Sequence, residues 1–84
     1  MSNEEQIIIC AVRYALGRQS YIVGVVAEYV AHKRKKLSQE CKNIIIRDIQ
    51  EERDYYHRQG QTLGMECNEK TWMRLEKFLR DGAE

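Results

Sequence analysis

Proline is absent from this 84-residue sequence, and glycine occurs only five times. So few breakers exclude polyproline segments and favour helices. Cysteine is scarce and odd in number: Cys10, Cys41 and Cys67, with no CxxC pair. A secreted disulfide framework needs an even, dense set, so three reduced thiols are expected. A metal site joining them to His32 or His57 lacks the short ligand spacing of zinc motifs. No metal and no cofactor are therefore expected. The longest apolar runs, Ile7 to Val12 and Tyr21 to Ala27, fall far short of the ~20 residues of a membrane span. The start of the chain, Met1-Ser2-Asn3-Glu4-Glu5, is acidic where a signal peptide is positively charged. The expectation is a cytoplasmic protein that does not enter a membrane. Charge of one sign is missing too. Fourteen Lys+Arg face 13 Asp+Glu, for a net charge of +1, which argues against a basic nucleic-acid coat or an acidic mimic of DNA. A Gly-rich phosphate loop, GxSxG and HExxH are all lacking, so the sequence does not point to an enzyme.

What is present is the pattern of one small all-α domain, residues 1–84, a compact bundle of about four short helices. The first is expected from Glu4 to Leu16. Ser2 with Glu5 three residues later reads as a capping box, and Gly17 as a C-terminal cap. Ile8, Val12, Ala15 and Leu16 form its apolar stripe, broadened by Ile7, Ile9 and Cys10. Ile7-Ile8-Ile9 would also suit a short buried strand, but the caps favour helix. The second helix is expected from Tyr21 to Lys33 with Ser20 as N-cap. Ile22, Val25, Val26, Tyr29 and Val30 are its stripe, and Gly24, Ala27 and Ala31 form a small-residue ridge suited to another backbone. The third spans Gln39 to Arg58, opened by Ser38. Cys41, Ile45, Ile49 and Tyr56 share a face, and the polar half from Gln50 to His57 is expected to project from the core or to meet something other than its own core. A loop from Gln59 to Cys67 is expected to be pinned by Leu63 and Met65. The last helix follows Asn68, read as its N-cap, and buries Trp72, Leu75, Phe78 and Leu79.

Three clusters are candidates for function. The densest is Arg13-Tyr14-Ala15-Leu16-Gly17-Arg18-Gln19-Ser20-Tyr21, where one helix ends and another begins. Free amides at a helix start attract anions. Arg13 and Arg18 add charge-assisted hydrogen bonds, Ser20 a hydroxyl, and Tyr14 and Tyr21 rings for stacking. A phosphate, a nucleotide or an acidic protein surface fits such a corner. Arginines at a helix C-terminus also simply satisfy the last carbonyls, so ligand binding and helix capping both stay open. In the second cluster, Tyr55, Tyr56 and Arg58 on a polar helix suit a protein interface, while Arg47–Glu51 and Asp54–Arg58 have the i,i+4 spacing of a solvated helix face. The third is the basic run Lys33, Arg34, Lys35 and Lys36 after His32, which with the Lys70, Arg74, Lys77 face would serve a small nucleic-acid-binding regulator.

The string Ala11-Val12-Arg13-Tyr14-Ala15-Leu16-Gly17-Arg18-Gln19-Ser20-Tyr21-Ile22-Val23 resembles a segment of small, largely uncharacterised bacteriophage and prophage proteins. Ile45 to Ile49, Leu63 to Asn68, Trp72 and Leu75-Glu76 are also similar to them. His32 to Gln39 and Glu51 to Gln61 are not part of the likeness. The resemblance implies context and not chemistry: a non-enzymatic protein in the bacterial host cytoplasm that engages or inhibits a host protein, such as a defence component, or sequesters a small anionic ligand such as a nucleotide. Self-association into a homo-oligomer is also expected.

Overall fold

Ser2 and Glu5 close the capping box that opens helix α1, Asn3–Ala15. The Glu5 amide donates to Ser2 Oγ (3.2 Å) and the Ser2 amide to Glu5 Oε1 (3.1 Å). Glu5 has a second task. Its Oε2 accepts from the amide of Ser38 (2.7 Å), and Ser38 Oγ in turn accepts from Cys41 N at the head of α3, Gln39–Arg58. One carboxylate thus joins two helix N-termini, where helix dipoles favour negative charge. These bonds hold its pKa down, from about 4.5 to about 2, with the Ser38 amide the largest cause. A carboxylate depressed on folding contributes stability above its unfolded pKa and loses it as pH falls through the folded one. The thermal midpoint is therefore expected to drop between about pH 4.5 and 2. Glu5→Gln should lower the midpoint at neutral pH and make that drop shallower, as followed by circular dichroism.

The computed structural model describes residues 1–18 and 21–81. Among them no strand occurs. The order is α1, α2 (Ile22–His32), a single 3₁₀ turn (Arg34–Lys36), α3 and α4 (Glu66–Asp81). This is an all-α bundle measuring 35 × 23 × 20 Å. Residues 7–9 lie in helix, so the strand alternative for Ile7-Ile8-Ile9 falls away. Ser20 lies outside the described residues, and with it the proposed cap of α2. The residue before α2, Tyr21, makes no side-chain cap.

The core is drawn from every helix. Ile8, Val12 and Ala15 of α1, Val23, Val26 and Val30 of α2, Cys41, Ile45 and Ile49 of α3, and Trp72, Leu75 and Leu79 of α4 are buried. Leu63 reaches the same cluster from the α3–α4 loop, but Met65 does not. Burial pushes the Cys41 thiol pKa up, which removes its reactivity. Five further expectations need correction. Phe78 is only partly covered, because it lines an open groove between α2 and α4 and does not join the core. Ile7 and Cys10 face outward, because the core touches only one side of α1. Val25 and Tyr29 are on the outer side of α2, and Val23 takes the inward place. Asn68 is not an N-cap. It lies inside α4 and reaches back so that its Oδ1 accepts from the Met65 amide (3.2 Å). The polar half of α3 does not stand free. Tyr56 packs on the core, Gln50 donates to Glu76 (3.3 Å) and His57 meets Glu69 (2.6 Å).

Two glycines hold one end of the bundle together. Gly17 ends α1 at φ +82°, and a Cβ there would sit 2.8 Å from the Tyr56 hydroxyl. Gly64 has φ +75°, and its Cβ would sit 2.8 Å from the backbone carbonyl of Arg18. Gly17 and Arg18, just after α1, therefore rest directly on Tyr56 of α3 and on Gly64 of the α3–α4 loop.

Candidate functional site

The anion corner is taken up largely by the protein itself. Arg13 projects from the α3 side of α1, and its Nε donates to Asp48 Oδ2 at 2.7 Å. That bond, together with the carboxylate charge, raises the guanidinium pKa further. Asp48 is mostly covered and also faces Arg47 Nε at 4.0 Å. Arg18 folds back along its own helix end. Its Nε donates to the Tyr14 carbonyl (3.1 Å), and its guanidinium lies 4.4 Å from the centre of the Tyr14 ring. Tyr14 and Tyr21 remain exposed. Of the five residues Arg13, Tyr14, Arg18, Ser20 and Tyr21, two arginines thus have internal partners and Ser20 is outside the described residues.

The other clusters divide in the same way. Tyr55 is exposed and meets Tyr56 edge-to-face at 5.5 Å. Tyr56 is partly buried, packed against the core with its hydroxyl over Gly17, so less of it than of Tyr55 is open to a partner; Arg58 stays exposed. In the basic run, Lys33 Nζ pairs with Glu4 (3.2 Å). Arg34 Nε donates to the Phe78 carbonyl (3.2 Å) while its guanidinium covers the Phe78 ring (5.1 Å). Among the described residues, Lys35 and Lys36 are the two of this run that are exposed without such partners. Within this run two cations give a shallow electrostatic footprint for nucleic acid; on the α4 face Lys70 pairs with Glu66 (3.7 Å), while Arg74 and Lys77 are exposed. Glu69 accepts from both His57 and the Leu63 amide (2.9 Å). Burial opposes its ionisation, but these bonds outweigh it and hold the carboxyl below its usual range. The pair ties the loop between α3 and α4 to both helices. Among the described residues no group of three His, Cys, Asp or Glu is placed to hold a metal ion.

What the sequence clusters missed is a surface that crosses α1 and α2. The Lys33–Glu4 ion pair joins the two helices, and Lys33 Nζ lies 5.7 Å from the centre of the Tyr29 ring. Helical spacing continues this face. Ile7, Ala11 and Tyr14 follow Glu4 at i+3, i+7 and i+10, and Tyr29, Val25 and Ile22 precede Lys33 at i−4, i−8 and i−11. Ala11 and Ile22 form a partly covered floor. Ile7 (68% exposed), Tyr14 (61%), Val25 (52%) and Tyr29 (48%) stand above it. Large apolar side chains that helical spacing gathers on one side of a small protein mark contact surfaces, and tyrosines are the side chains that interfaces favour. Arg18 over Tyr14 and Lys33 over Tyr29 place one cation at each end. A signal for this surface did exist: α2, IVGVVAEYVAH, carries one formal charge in eleven residues, and a helix apolar all round is normally covered.

No protein-family model, curated protein or solved structure matches this chain.

Proposed function

We propose that this chain is a non-enzymatic binding protein that engages a protein partner through the outer face of the α1–α2 hairpin. The observation carrying this reading is the exposure of Ile7, Tyr14, Val25 and Tyr29 on one face, bounded by Arg18 and Lys33. A folded monomer gains nothing from four such side chains in water, whereas a partner that covers them gains about 25 cal/mol per Å² of apolar area. The resemblance to small phage proteins supports a bacterial host component as the partner, with inhibition as the consequence and the host cytoplasm as the place. Capture of a small anion is the weaker reading, because Arg13 is already neutralised by Asp48. Among the described residues no helix is long and apolar enough to cross a membrane.

The test is affinity capture from a bacterial host lysate with the tagged protein and with the double variant Tyr14→Ser/Tyr29→Ser. Both substituted positions are exposed, so the variant should keep its helical circular dichroism. The expected result is a host protein bound by the wild type, with affinity for the double variant weaker by at least about tenfold, the size of a hot-spot loss. Equal capture by both proteins overturns the reading.

A further inference from the structure

On the opposite flank of α2, an open groove of about 440 Å³ runs between α2 and α4. Gly24, Ala27 and Ala31 form one wall, and Thr71, Leu75 and Phe78 the other. These are the small residues expected to receive a backbone, yet a Cβ on Gly24 would meet nothing within 4 Å. Two charges border the groove, Glu28 on α2 and Arg74 on α4. Among the described residues neither belongs to an ion pair.

We propose that this groove is where a second copy of the chain docks, so that α2 and α4 of two protomers form a four-helix bundle about a two-fold axis along the groove. That axis sets α2 of one copy over α4 of the other. It carries each Glu28 to the partner copy's Arg74, and it makes the same ion pair twice, as an isologous contact must. The small wall of α2 lets the facing helix approach to the 8–10 Å of ordinary helix packing, with Leu75 and Phe78 filling the space between. Chemistry separates this occupant from a small anion. A carboxylate stands midway along the groove and repels an anion, and Arg34 at its basic mouth is already bonded to the Phe78 carbonyl. A second copy supplies the cation that Glu28 lacks and the carboxylate that Arg74 lacks. The pairing is separate from the hairpin face, which lies on the α1 side of α2, so either can fail without the other.

Sedimentation velocity from micromolar to millimolar protein tests it. The wild type should pass from monomer to dimer. Gly24→Glu places a charged side chain in open space on a helix whose propensity it improves, so the monomer stays folded while the dimer is lost. Glu28→Arg and Arg74→Glu should each weaken dimerisation by about tenfold or more, through like charges set face to face. The double variant Glu28→Arg/Arg74→Glu should recover the dimer, a rescue that a merely structural role for either residue would not produce. A wild type that stays monomeric throughout overturns the proposal. So does a dimer indifferent to Gly24→Glu, or single reversals that the double variant does not rescue.

Discussion

Trp72→Ala is expected to remove about a third or more of the stability of the fold. Trp72 is fully buried and belongs to α4, which packs on both α2 and α3. Truncating a buried aromatic removes its transfer free energy and leaves a cavity, at a cost of about 3–5 kcal/mol. A domain of this size has in total about 5–10 kcal/mol of stability. The urea midpoint followed by circular dichroism should fall by at least about a third. The indole N–H adds a second expectation. It is buried without a hydrogen-bond partner among the described residues, and such a group costs about 1–3 kcal/mol. Trp72→Phe removes that cost along with some packing, so it should destabilise far less than Trp72→Ala. A Phe variant as unstable as the Ala variant would show that the indole's bulk matters and its orphan N–H does not.

Gly64→Ala is the second large effect. A left-handed backbone costs an L-residue about 1–2 kcal/mol. At Gly64 the new Cβ would also sit 2.8 Å from the Arg18 carbonyl, a backbone atom that moves only if the chain at the end of α1 moves. The expected loss is about 2–4 kcal/mol, counting both backbone strain and that displacement. Gly60 supplies the control. It shares φ +75° but has nothing within 4 Å, so Gly60→Ala should cost only the conformational part. Equal losses at the two positions, in parallel denaturation curves, would reject the close approach as the cause.

How far the sequence could be read depended on where each element's signal resided. For α3, a serine cap and a regular isoleucine pattern are local, and both its limits, Gln39 and Arg58, follow from them. The Ser2–Glu5 box likewise placed α1 to within a residue. In α4, Asn68 has the chemistry of a cap but acts from within the helix, which moved the real start back to Glu66. Burial phase was lost in α2, because a helix with a single charge offers no polar side to orient it; Val25 and Tyr29 were thus placed inward when they face out. The internal partners of the candidate corner were hidden for a different reason. Arg13 meets Asp48 across 35 positions of sequence, and Tyr56 covers Gly17 from another helix. No spacing rule carries such information, whereas the apolar excess of α2 was legible in composition alone.

Glu5 bridges Ser2 and Ser38 at one end of the molecule, and Gly17 and Gly64 seat the turns at the other. Both fastenings act on α1, α3 and the loop before α4, while α2 is retained by apolar contacts and the Lys33–Glu4 pair. The amides of the second helix are consequently expected to exchange with solvent through a cheaper opening than those of α1 and α3. Any molecule that settles on either of its flanks will slow that exchange before it alters the rest of the bundle.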